Sequence, residues 1–249
     1  MRMKNLPFYF ILLVVVFAAI FLSSCAEQKS PVVAQTENTV KKESPVTNQA
    51  ENVNQPQAKK EPSNAVVSSP TIVSRQEWKA KEPQGKVKEH TIRYITIHHT
   101  ASPQKDGTPI EKKMQSLQNF SQSESRLASG KMKPAWFDVP YHYYIAVDGK
   151  IAEGRDIKFV GDTNTDYDPS GHALVVLEGN FETEQPSSEQ QKSLQALIAW
   201  LSAKYKVPTS EIKAHNDYAS TACPGENLKK LLPTLREKVG EITKVSEKP

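Results

Sequence analysis

The sequence predicts an α/β domain, with a single mixed central β-sheet flanked by helices. Three observations carry this. Two apolar runs rich in β-branched residues, 91–98 (TIRYITIH) and 173–177 (ALVVL), suit buried strands. Asp148-Gly149 sits between alternating apolar residues in 141–152 (YHYYIAVDGKIA), a strong short-range signal for an antiparallel hairpin. Ser187 followed three positions later by Gln190 forms a capping-box pattern ahead of Leu194, Leu197, Ile198, Leu201 and Tyr205, which mark one face of a long helix. Strands alternating with helices, plus one hairpin, give the α/β class.

The chain has 249 residues, and they are not uniform. Residues 1–24 carry Arg2 and Lys4 ahead of an uncharged, mostly apolar stretch that ends in Leu22-Ser23-Ser24-Cys25, which reads as a secretory signal peptide. The apolar run of roughly 17 residues is short for a membrane-spanning helix, which normally needs about 20. A spanning anchor is the alternative reading. The Leu-Ser-Ser-Cys ending resembles the lipobox of bacterial lipoproteins, which implies cleavage before Cys25 and a membrane anchor through lipid on that residue. Ala26 follows the cysteine, and in an organism with two membranes this resembles the outer-membrane sorting pattern.

From Ala26 to about residue 70 there is no aromatic residue, no glycine and no hydrophobic period. Such a segment buries too little apolar surface to offset its ordering entropy, so residues 25–70 read as a lipidated cysteine and a disordered tether. Its end-to-end distance is about 35 to 40 Å. Residues 71–249 are enough for one well-buried core and read as a single domain, expected to be a monomer.

Within that domain, Thr108-Pro109 opens a helix with Ile110, Met114, Leu117 and Phe120 at roughly helical spacing. The run 173–177 ends in the turn Glu178-Gly179-Asn180, and Pro224-Gly225 precedes a last helix carrying Leu228, Leu231, Leu232 and Leu235, interrupted or kinked near Pro233. No internal repeat is present. The formal net charge of +4 is modest and unclustered, which fits an anionic polymer as partner and does not support nucleic-acid binding.

The chemistry gathers in two places. His215 and Cys223 lie eight positions apart in HNDYASTACPG, and the strand 91–98 ends at His98-His99. Imidazole and thiolate are ligands that zinc prefers, and three of them leave a fourth position open for water. Cys25 and Cys223 are the two cysteines of the chain, so with Cys25 lipidated Cys223 has no disulfide partner. An unpaired thiol in an exported protein is buried, metal-bound or catalytic. Strand alternation sends His98 and His99 to opposite faces, and periodicity does not choose between them.

Four ordered segments resemble the zinc amidases that include bacterial N-acetylmuramoyl-L-alanine amidases, phage lysozyme-type amidases and animal peptidoglycan recognition proteins. They are VSRQEW ending at Trp78, ITIHHTA from Ile95, YHYYIAVDGKIAEGRD from Tyr141 and HNDYASTACPG from His215. The resemblance implies a peptidoglycan recognition protein-like fold and hydrolysis of the amide between N-acetylmuramic acid and L-alanine in polymeric wall or soluble muropeptide. It implies zinc held by His98, His215 and Cys223, leaving His99 packed or hydrogen-bonded. Tyr141 matches the family's catalytic tyrosine, and Thr221 stands where phage members carry a catalytic lysine. His142 reads as structural. Val176 stands where some relatives place a glutamate, and Glu178, two positions on, shares its strand face. His172 reads as a solvated loop histidine or a groove residue, and Trp78, Trp136 and Phe137 as glycan contacts or core. A non-catalytic peptidoglycan-binding sensor and a hydrolase with Cys223 as nucleophile are the alternatives.

Overall fold

A computed structural model of the chain describes residues 67–127 and 130–246. The signal peptide, Cys25 and the tether up to residue 66 lie outside the described residues. Second from one edge of the sheet is β2 (Tyr94–His99), the strand expected over 91–98, starting three residues later and running one further. Parallel neighbours flank it: β7 (His172–Leu177) on one side and β8 (Ile212–Ala214) on the other. Beyond β7 lie the parallel β5 (Tyr143–Ile145), its antiparallel partner β6 (Ile151–Glu153) and the edge strand β1 (Ile72–Val73). The six-stranded order is therefore β1-β6-β5-β7-β2-β8, a mixed sheet as expected. A separate pair, β3 (Ser125–Arg126) and β4 (Met132–Lys133), forms a small antiparallel ribbon.

The hairpin joining β5 to β6 turns at Asp148-Gly149. Gly149 has φ +80, and a Cβ there would stand 2.9 Å from the Cβ of Glu189, so the turn and its packing both call for glycine. Residue alternation then divides the sheet into two faces. On one, Ile95, Ile97, Ile145, Val175 and Leu177 pack with Leu194, Leu197, Ile198 and Leu201 of α2 (Ser188–Tyr205) and with Leu235 and Val239 of α4 (Leu232–Ser246). On the other, Tyr144, Ala152 and Val176 pack with Trp78 and with Ile110 and Met114 of α1 (Ile110–Ser121). Leu197 is fully buried between sheet and helix, and its truncation to alanine is expected to cost about 2 to 5 kcal/mol.

The capping box is formed: the Ser187 hydroxyl accepts from the backbone N–H of Gln190, and the Gln190 side chain accepts from that of Ser187. Phe120 departs from its expected place on the buried face of α1 and is 45% exposed. Gln118 and Ser121 take the buried stripe with Ile110 and Met114, and Gln118 satisfies its amide on Lys81 and Asp138. The last helix is in two pieces, α3 (Glu226–Lys229) and α4. The break falls before Pro233, which occupies the first turn of α4, where no intrahelical N–H is required.

Candidate metal centre

Side-chain alternation along β2 sends Ile95 and Ile97 into the core under α2 and α4, so His98 leaves by the opposite face at the carboxyl end of the strand. Its register neighbour on β7 is Val176, whose own neighbour on β5 is Tyr144. On the other side, β8 runs parallel to β2 as far as the pair Ile97 and Ala214, and the chain then turns into a 3-10 helix, His215–Asp217. The Asp217 carboxylate accepts from the backbone N–H of Ala214, which closes this turn and presents His215 beside His98. The rings lie 4.4 Å apart between centroids.

Cys223 arrives from the following loop. Its backbone N–H donates to the Thr221 hydroxyl at 3.2 Å, and its carbonyl accepts from Asn216 at 2.9 Å, so the loop folds back on the 3-10 helix. The exit is also fixed. At Gly225, φ is +89, and a Cβ would stand 2.7 Å from the backbone nitrogen of Glu182. The thiol sulfur lies 3.6 Å from Nδ1 of His98 and accepts the backbone N–H of His99 at 3.4 Å.

His98, His215 and Cys223 thus place one nitrogen, one nitrogen and one sulfur within 4.8 Å of one another. The donor set fits zinc. Two buried ring nitrogens, Nε2 of His98 and Nδ1 of His215, have no hydrogen-bond partner, an arrangement that is costly unless something else engages the site. Burial pushes both histidines toward the neutral form that can bind a metal, His98 well below the usual range and His215 down to about 4. Burial also pushes the Cys223 thiol up to about 12 in the metal-free protein, so metal binding must displace its proton.

Tyr141 stands at the edge of this cluster, its ring 5.2 Å from that of His98. Its carbonyl accepts from Arg155, and a Cβ at Gly154 would fall on that carbonyl, so glycine allows the hairpin to hold the tyrosine in place. Burial, and then the neighbouring Cys223, push the phenol well above its ordinary value. From Tyr141 an open groove of about 590 Å³ extends past Phe120, Leu127, Trp136 and Tyr144, with Lys105, Lys112 and Lys113 on its rim.

His99 turns away, and its Nδ1 accepts the backbone N–H of Phe181 at 3.3 Å. His142 ties β7 to the loop after β6, accepting from Leu174 at Nδ1 and facing the Phe159 carbonyl through Nε2. His172 is neither solvated nor a loop residue: it begins β7, is buried, and pairs its Nδ1 with the Thr96 hydroxyl at 2.8 Å. Trp78 is core, Trp136 lines the groove, and Phe137 packs edge-on against Phe159. The carboxylate of Glu178 is buried and engaged, at 2.6 Å from Lys113 and with the backbone N–H groups of Lys105 and Val147. Sequence reasoning missed Thr165, whose hydroxyl lies 2.8 Å from Nε2 of His215, because residues 162–168 carry neither a motif nor a period.

The N-acetylmuramoyl-L-alanine amidase family model matches residues 88–226, more than half of the chain. Peptidoglycan-recognition protein SD of Drosophila melanogaster is 30% identical over 176 residues, which cover 68% of this chain and 87% of that protein. Among solved structures, the N-acetylmuramoyl-L-alanine amidase LysC from Clostridium intestinale superposes with a TM-score of 0.55 at 25% identity, covering 69% of this chain and 99% of LysC. A Drosophila PGRP-LB mutant in complex with tracheal cytotoxin gives 0.55 at 26% identity, covering 66% and 93%. The chain belongs to the amidase type 2 family of N-acetylmuramoyl-L-alanine amidases and peptidoglycan recognition proteins.

Proposed function

We propose that this protein is a zinc hydrolase that cleaves the amide between the lactyl group of N-acetylmuramic acid and L-alanine in peptidoglycan. The observation that carries the reading is the convergence of His98, His215 and Cys223 beside Tyr141, at the end of an open groove. Held by those three side chains, zinc would supply Lewis acidity and activate water for attack on the scissile carbonyl. Tyr141 keeps its proton across the neutral range, so it acts as a donor to the developing oxyanion and to the departing amide nitrogen. Thr221 uses its oxygen to accept from Cys223, which leaves its hydroxyl hydrogen available as a second donor. Glu178 is committed to Lys113 and serves the groove wall, not proton abstraction.

The rival nucleophilic cysteine needs a thiolate, and burial holds the Cys223 thiol protonated in the metal-free protein. A sensor of the same fold would bind muropeptides and release nothing. Chelation is expected to stop hydrolysis and zinc to restore it, while Cys223→Ser keeps peptidoglycan binding and loses cleavage. Hydrolysis by metal-free protein would overturn the reading. So would a zinc-loaded wild type that binds muropeptides and leaves them intact.

The signal-like segment, Cys25 and the tether support a lipoprotein of the cell envelope, facing the periplasm from the outer membrane where two membranes exist. No helix among the described residues is long and apolar enough to cross a membrane. Substituting Cys25 with serine is expected to move the protein from the membrane fraction to the soluble one.

A further inference from the structure

We infer that Thr165 is the positioning residue that sets the tautomer and ring orientation of His215 for metal binding, with Thr163 as its support. The inference rests on the zinc reading above. The Thr165 hydroxyl lies 2.8 Å from Nε2 of His215 and 2.7 Å from the Thr163 hydroxyl. The Thr163 oxygen also accepts the backbone N–H of Thr165 at 3.1 Å, which fixes the two side chains relative to each other.

The direction of the chain follows from the other ring nitrogen. Nδ1 of His215 is buried and has no hydrogen-bond partner. If Thr165 donated to Nε2, the ring proton would sit on Nδ1, where it would be a buried N–H without an acceptor and would block a metal. With Nε2–H donating to Thr165, and Thr165 donating on to Thr163, the ring proton and the Thr165 proton both have acceptors and Nδ1 offers a bare lone pair. A ligating histidine is held in this way by its outer partner.

The loop that carries the two threonines is itself pinned. Asp162 pairs with Arg155, which is fully buried and also donates to the carbonyls of Val139, Val160 and Asp138. Gly161 lies so close to the preceding segment that a Cβ would stand 2.6 Å from the carbonyl oxygen of Pro140. Tyr167, at the far end of the loop, packs its ring 5.2 Å from that of His215. The loop therefore holds the histidine from two sides.

The test measures zinc affinity of the full chain in detergent by competition with a chromogenic chelator, and the visible spectrum of the cobalt-substituted protein. Thr165→Val removes the hydroxyl at nearly constant shape and is expected to weaken zinc about 10- to 100-fold and to alter the cobalt spectrum, a loss larger than the modest drop in metal-free unfolding midpoint that an unpaired ring N–H brings. Thr165→Ser is expected to restore wild-type affinity, and Thr163→Val to show a smaller loss in the same direction. Retention of wild-type zinc affinity and cobalt spectrum by Thr165→Val overturns the inference. A wild type that takes up no zinc overturns the metal reading itself, a result distinguishable from the first.

Discussion

The sulfur of Cys223 lies 3.6 Å from Nδ1 of His98, although 125 positions separate the two residues. One belongs to the buried strand β2 and the other to a loop beyond β8, so a metal bound between them ties the segment after β8 to the sheet. Zinc is therefore expected to raise the unfolding midpoint. Free metal at a hundred times its dissociation constant contributes about 2.7 kcal/mol. Thermal unfolding with and without zinc checks this, and the increment should vanish in Cys223→Ser.

Tyr141→Phe keeps the ring beside His98 and removes the donor. Loss of one oxyanion donor costs about a hundred- to a thousandfold in turnover, so kcat should fall by that order while KM and zinc content stay near wild type. Steady-state kinetics on muropeptides, paired with metal analysis, separates this from a loss of metal.

Gly154→Ala displaces the same tyrosine through the backbone, because the new methyl group falls on the Tyr141 carbonyl. Overpacking of this kind costs about 1 to 3 kcal/mol. Both the denaturant midpoint and kcat should drop, whereas alanine at the exposed Gly85, where a Cβ meets nothing within 4 Å but φ is +75, should lower the midpoint through backbone strain and leave kcat unchanged.

His142 links stability to acid. Its neutral ring uses both nitrogens, and burial lowers its pKa from about 6.5 to about 3. Between those values the unfolded chain binds a proton that the folded one refuses, so stability is full above about pH 6.5 and falls as the pH drops through the window, at most by about 1.4 kcal/mol per unit. His172, lowered to about 4 by burial, adds in the same direction. Denaturant midpoints measured between pH 7 and 4 should fall steadily; a flat profile would contradict the buried, neutral assignment.

The elements with strong local signals were legible in the sequence: the β-branched run of β2, the Asp148-Gly149 turn and the Ser187 capping box each owe their form to neighbours along the chain. The exceptions depend on distant contacts. β8 is three residues long and exists because Ile212 and Ala214 pair with β2, and Phe120 is exposed because Gln118 finds buried partners on Lys81 and Asp138. At the site, residue type and spacing mark His98, His215 and Cys223, which the fold brings together. Thr165 left no trace in the sequence, since its role comes only from a loop folded over His215.

Mass spectrometry of purified peptidoglycan treated with the zinc-loaded chain tests the central claim most directly. The expected products are a free lactyl carboxylate on N-acetylmuramic acid and a free amine on L-alanine, absent after chelation and restored by zinc. Unchanged peptidoglycan, or the same products from metal-free protein, would contradict it.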